Sequence, residues 1–233
     1  DAKNNIHARI DRKRKFPVTT LLKCLISSIS ENYIKECSLK KIDPDPKKIQ
    51  GMSAEEILSF FYDSYEFKKN KFGWQFKENI NFYKAKILSY DFLDSNTGKV
   101  ILQKGMKLTQ RSINEIVKKN KVNTLTIEEN SLLGHFLSSD IVNESSGKIY
   151  YQAGFEIDED FITFINENKI NKIDILKVDN IEIGSYIRST LLLDKARSRE
   201  ESLFEIFKIL RPGEPPTIET AEMLFNNLFF NSD

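Results

Sequence analysis

The residues from Asp91 to Ile127 read like those from Asp140 to Leu176, and this duplication constrains the fold more than any other feature of the chain. Gly98 matches Gly147, Lys99 matches Lys148, Gln103 matches Gln152, Gly105 matches Gly154, and Ile113 and Ile116 match Ile162 and Ile165. One residue of slippage near Asn120 brings "NKVNTL" onto "NKINKI". Each copy spells a glycine turn, a short strand, a second glycine turn, a capped helix and a closing strand. Thr109 and Asp158 fall at equivalent positions, and both suit an N-cap, where a side-chain oxygen accepts from an otherwise unpaired backbone N–H. Two copies, spanning 91–130 and 140–178, are too few for a solenoid, whose repeats need neighbours on both sides. They predict two small α+β units, each strand-strand-helix-strand, packed on one another.

The copies differ in charge. The first carries Lys99, Lys104, Lys107, Arg111, Lys118, Lys119 and Lys121, the second Glu156, Asp158, Glu159 and Asp160, which argues against one ligand shared by both. The acids lack the spacing and glycine of a calcium-binding loop, whereas acids in a first helical turn complement the helix dipole.

The remaining sequence predicts a mixed α+β protein. "IHARID" alternates like a half-buried strand and runs into charge. A helix is expected from Pro17 through "VTTLLKCLI", because proline lacks the N–H that would have no partner at a helix start. Residues 28–50, ending in "KIDPDPKKIQG", read as a surface excursion. Ser53 and Glu56 form a reciprocal capping box, after which Ile57, Phe60, Phe61 and Tyr65 are expected to face a core. "EFKKNKFGWQF" reads as a hairpin with Phe72, Trp74 and Phe76 on one face; aromatics among lysines also suit stacked bases, but the alternation suits a buried strand face. "SYIRSTLLLD" reads as a strand. A helix capped by Ser198 and Glu201 should bury Leu203, Ile206, Phe207 and Leu210, and a last helix should start after Thr217.

Composition narrows the chemistry. With 35 Lys and Arg against 34 Asp and Glu, no whole-surface grip on nucleic acid is expected, although a local basic patch remains open. Cys24 and Cys37 lie apart from each other and from His7 and His135, so they read as structural thiols and no metal site is predicted. Absence of a signal peptide and of a membrane-length apolar run predicts a cytoplasmic protein. Phosphate-loop, dinucleotide, zinc-protease and nucleophile-histidine patterns are missing, so no catalytic residue is predicted and an independent hydrolase or transferase lacks a site. Asn143-Glu-Ser is formally a glycosylation acceptor, a match with no other sign of secretion.

Two features remain. In "DRKRK", a continued strand would put Arg12 and Arg14 on one face about 7 Å apart, near the spacing of successive phosphates. Guanidinium groups suit phosphate oxygens and base edges, and a solvated charge run is the other reading. In "KILRPGEPPTIETAEML", Arg211 stands where Pro212 and Gly213 break two helices; it could serve a ligand, or complement a helix C-terminus and pair with Glu214.

"RIDRKRKFPVTTLL" at 9–22, "SYIRSTLLLDK" at 185–195 and "RPGEPPTIETAEMLFNNLFF" at 211–230 resemble, in order, spacing and wording, signature segments of the bacterial DNA-directed RNA polymerase β subunit. They resemble its second domain, the lobe. The resemblance implies a discontinuous lobe at 1–62 and 186–233, interrupted by an inserted α+β domain at 63–185 that holds the repeat. It further implies one wall of the DNA cleft, with Asp11, Arg12, Arg14 and Arg211 nearest the downstream and non-template DNA. No catalytic residue or cofactor is implied on this piece, since the magnesium of the whole nucleotidyltransferase is held by β′. The implied partners are the α, β′, ω and σ subunits and DNA, in the cytoplasm at the nucleoid. An alternative is a protein-docking module, whose inserted domain binds transcription regulators and whose arginines are structural.

Overall fold

The computed structural model describes residues 1–114, 124–143, 145–179 and 183–230. The expected matches at Asn120 and Ile116, the cations Lys118, Lys119 and Lys121, and the centre of the Asn143 acceptor triplet lie outside the described residues. The fold is mixed α+β and divides into two compact units, residues 1–61 with 179–233, and residues 62–178.

The first unit is mainly helical. Strands β1 (His7–Ala8) and β2 (Phe16–Pro17) pair antiparallel, with His7 opposite Pro17 and Ala8 opposite Phe16. Pro17 is the N-cap of the helix Val18–Cys24, and this helix packs on Arg199–Leu210, which packs in turn on Ile218–Phe229. Phe16, Cys24, Leu203, Ile206, Phe207, Ala221 and Phe225 form the shared core. Burial pushes the Cys24 thiol up to about 12, and its Sγ donates to the Thr20 carbonyl at 3.3 Å, so it is an inert packing group.

Three sequence expectations change here. Residues 28–50 hold a helix, Ser28–Lys40, capped by the Ser27 side chain on the Ser30 N–H and closed by left-handed Lys41. Only Ser30 and Cys37 of that helix are buried while Ile29 and Leu39 face solvent, so no apolar period advertises it. "SYIRSTLLLD" is also a helix, Tyr186–Leu193, with Ile187 and Thr190 buried three residues apart; a continuous apolar run does not distinguish strand from helix. The Ser53–Glu56 box is present, at 3.0 and 3.1 Å, and Ile57 is fully buried, but Phe60 is 77% exposed and Phe61 is exposed beside it. Leu58 takes the inward position instead.

A buried carboxylate joins distant parts of this unit. Asp194 accepts from Thr19 Oγ1 at 2.8 Å, Thr20 Oγ1 at 3.1 Å, the Ala196 N–H at 3.0 Å and Lys23 Nζ at 2.9 Å. Lys23 Nζ also donates to the Ala196 carbonyl at 2.7 Å. Every polar atom of this node has a partner, which is the condition for burying charge.

The second unit is built around a six-stranded antiparallel sheet in which Lys172–Leu176, Ser64–Asn70, Gly73–Lys77, Thr124–Ile127, Phe92–Leu93 and Val100–Leu102 lie side by side in that order. Its strands are β3 (Ser64–Asn70), β4 (Gly73–Lys77), β5 (Phe92–Leu93), β6 (Val100–Leu102), β7 (Thr124–Ile127) and β10 (Lys172–Leu176). Strands β8 (Ile141–Val142) and β9 (Ile149–Tyr151) pair separately. The expected β3–β4 hairpin is present, with Trp74 and Phe76 buried and the Phe67 and Phe76 rings stacked at 4.5 Å. Phe72 sits in the turn, partly exposed, where a Cβ on Gly98 would lie 2.5 Å from its ring.

Over the described residues the two copies fold alike, and their hydrogen bonds repeat at an offset of 49 residues. Asp94 Oδ1 accepts from the N–H groups of Asn96 and Thr97, and Asn143 Oδ1 from those of Ser145 and Ser146. Asp91 accepts from the Lys104 N–H and Asp140 from the Ala153 N–H. Thr109 and Asp158 cap as expected, on Ser112 and Phe161. The likeness starts earlier than Asp91: Leu88 N donates to Met106 O as Leu137 N does to Phe155 O, and 3₁₀ turns at Ile80–Tyr83 and Glu129–Leu132 open the copies. Each copy lends its closing strand to one side of the β3–β4 hairpin, β7 against β4 and β10 against β3.

Candidate nucleic-acid interface

The segment from Arg9 to Lys15 joins β1 to β2 and carries five cations and the carboxylate of Asp11. It is not a continued strand. β1 stops at Ala8, the Lys13 N–H donates to the Ile10 carbonyl at 2.8 Å, and the two residues between them, Asp11 and Arg12, have φ of 46° and 55°. Positive φ at both central positions is the requirement of the mirror-image hairpin turn, which reverses a chain between antiparallel strands. Arg12 and Arg14 therefore do not share a strand face, and the 7 Å spacing expected from a strand does not apply. Aspartate tolerates this conformation; arginine pays roughly 1–2 kcal/mol for it through its Cβ.

The loop is anchored at both ends while its cations face water. Ala8 and Ile10 pack against the core that contains Phe16, and Arg9 and the residues from Asp11 to Lys15 are exposed. Arg211 belongs to the same unit on a different element. It closes the helix Arg199–Leu210, its N–H donating to the Phe207 carbonyl at 2.7 Å, with Phe207 in the core shared with Phe16. Gly213 follows with φ of 89°, and Thr217 starts the next helix through a reciprocal box with Thr220. The Arg211 backbone is thus fixed, but its side chain is 57% exposed, with a long 3.7 Å ion pair to an equally exposed Glu214. Such a pair in water holds the guanidinium weakly and leaves its donor fork available.

Asp11, Arg12 and Arg14 are therefore gathered on one turn, and Arg211 stands on a separate rigid corner. Sequence reasoning passed over Asp194, Lys23 and Arg199, which join the helix after β2 to residues 194–199. Their partners are 173 to 175 residues away in sequence, so no local pattern marks them. Among the described residues, no group of three His, Cys, Asp or Glu side chains is placed to hold a metal ion, and no helix is long and apolar enough to cross a membrane.

No protein-family model matches the chain. Among curated proteins, it is 38% identical over 233 residues, all of its length, to the DNA-directed RNA polymerase subunit beta of Rhizobium leguminosarum. Similar matches are to the subunits of the same name from Gluconobacter oxydans, 40% identical over 99% of the chain, and Caulobacter vibrioides, 34% identical over its whole length. The chain spans only 15 to 16% of the length of these relatives.

Proposed function

We propose that this chain, which corresponds end to end to a segment of the bacterial DNA-directed RNA polymerase β subunit, works as the lobe of that subunit and guides DNA without performing chemistry. In this reading residues 1–61 and 179–233 form one wall of the cleft, and residues 62–178 are an inserted domain. The lobe assembles with α, β′, ω and σ subunits in the cytoplasm, and the magnesium that drives phosphoryl transfer belongs to β′. The observation that carries the reading is the full-length match to β subunits at 34 to 40% identity. Two geometric features support it: an arginine held in a costly turn conformation with its head in solvent, and Arg211 on a corner stiffened by proline, glycine and a capping box. Strained, exposed cations on a rigid scaffold suit a site whose ligand is a phosphate backbone.

Arg211→Ala in the assembled polymerase should shorten the lifetime of opened DNA roughly tenfold, the effect of losing one arginine contact. Bond formation on a pre-melted template should proceed at the parent rate. An unchanged open-complex lifetime would refute the assignment.

A second reading is favoured by the separate core of residues 62–178, which centres on Trp74, Phe76, Phe92 and Phe161 and does not draw on the helical unit. A self-contained module of this kind suits docking of transcription regulators. Its removal should leave basal transcription intact and abolish the response to any regulator that uses it. Loss of basal activity would instead make the module part of the core machinery.

A further inference from the structure

Arg199 opens the helix that ends at Arg211, and its side chain is only 9% exposed. Its Nε donates to the Cys24 carbonyl at 3.0 Å, and its Nη2 donates to Glu222 Oε1 at 2.6 Å. Three elements thus meet on one guanidinium. Cys24 ends the helix that starts directly after β2, the strand into which the basic loop runs. Glu222 lies on the helix that follows the corner, so Arg211 stands near the middle of the 23-residue span closed by the Arg199–Glu222 bond. The joint is closely covered: a Cβ on Gly51 would lie 3.0 Å from the Arg199 Cβ and 1.9 Å from the Lys23 carbonyl oxygen.

A corner fixes where two helices meet but not the angle at which they cross. Side-chain packing alone tolerates a scatter of about 15–20° in that angle. A helix of twelve residues is about 18 Å long, so such a swing displaces its end by roughly 5 Å, beyond the tolerance of a hydrogen bond. A second attachment away from the corner removes that freedom, and the planar fork of arginine holds two acceptors in fixed directions.

We infer that Arg199 and Glu222 are a positioning pair, which sets the crossing of the helices around Arg211 and ties that corner to the helix behind the basic loop. The two sets of cations then meet a nucleic-acid strand as one preorganised surface. This rests on the reading of Arg211 as a DNA contact. The pair does not touch the strand itself and acts through the place it gives Arg211.

The test uses the assembled polymerase bound to a DNA scaffold whose non-template strand is unpaired, at one fixed salt concentration. Dissociation rates are compared for Arg199→Met, Glu222→Met, Arg211→Ala and the double variants, with thermal unfolding followed in parallel. Arg199→Met and Glu222→Met should each speed dissociation about 3–10-fold when Arg211 is present, and by less than about 2-fold when position 211 is already alanine. Their effect on the unfolding temperature should be the same in both backgrounds. Equal acceleration with and without Arg211, or none in either, would make the pair purely structural and overturn the inference. Unaltered dissociation for Arg211→Ala alone would refute the DNA reading, and the inference with it. Should Arg199→Met fail to assemble, Glu222→Met decides, because it keeps the side-chain length, removes the acceptor of Arg199 Nη2 and leaves the bond from Arg199 to Cys24 in place.

Discussion

Asp194→Ala is expected to lower the unfolding free energy of the helical unit by about 3–5 kcal/mol, the usual result of removing one partner from a buried ion pair. The reason lies in what remains. Lys23 is 13% exposed and would keep only the Ala196 carbonyl, while the hydroxyls of Thr19 and Thr20 and the Ala196 N–H would all lose their acceptor. Asp194→Asn should cost less, since the amide oxygen still accepts, though the charge facing Lys23 is gone. Pairing Asp194→Leu with Lys23→Met should recover only part of the loss: it removes the stranded charge but not the stranded hydroxyls. Urea unfolding of the chain checks this, and the loss should fall on the transition of the helical unit because the other unit has a separate core. A loss below about 1 kcal/mol for Asp194→Ala would mean that the carboxylate is not the keystone its contacts indicate.

Trp74→Ala should have an effect of similar size on the other unit, about 3–5 kcal/mol for a large aromatic removed from a packed core. Trp74 is fully buried on the central hairpin, opposite Lys69 on β3 and Ile127 on β7. Its indole Nε1 donates to Glu129 Oε1 at 3.2 Å, an oxygen that also accepts from Lys69 at 2.8 Å. Asn166 donates to the other oxygen at 3.0 Å. Partial burial pulls the Glu129 carboxyl upward, but the donors Lys69, Asn166 and Trp74 outweigh it and hold the group below its ordinary value. Trp74→Phe separates the two contributions, since it keeps most of the apolar volume and loses only the indole donor. Both variants lack the single tryptophan, so the urea midpoint of the sheet unit is compared by circular dichroism. A Phe variant as unstable as the Ala variant would show that the hydrogen bond, rather than the cavity, sets the cost.

The parts of the fold that were legible in the sequence are those whose information is local. The capping box at Ser53, the N-cap at Thr217, the hairpin around Asn70 and the glycine turns of both copies each depend on residues a few positions apart. The duplication was legible from Asp91 onward because glycines hold its turns; its first eleven residues were hidden because Ile80–Tyr83 and Glu129–Leu132 share a turn but only one residue type, Asn81 with Asn130. A short shared signal was available there, in Leu88-Ser89 before Asp91 and Leu137-Ser138 before Asp140. The helix Ser28–Lys40 lacked a readable pattern because it buries so little. At the candidate interface, the stiff corner under Arg211 could be read from Pro212, Gly213 and Thr217. The turn at Asp11 and Arg12 could not, since left-handed backbone at an arginine is a result imposed by the pairing of β1 with β2.

The position of β3 also has a consequence for synthesis. Its hairpin partner β4 follows at once, but its other edge is covered by β10, with Lys68 opposite Lys172, about a hundred residues later in the chain. At bacterial translation speeds of about 5–20 residues per second, that edge waits roughly 5–20 seconds on the ribosome for its neighbour. An open strand edge is a site for wrong pairing with another nascent chain. Glu66, Lys68 and Lys69 put charge along β3 for that interval, and in the finished sheet the same Glu66 binds both Lys68 and Lys172 at 2.6 Å. The charges that guard the unfinished edge are the ones that later receive the strand closing it.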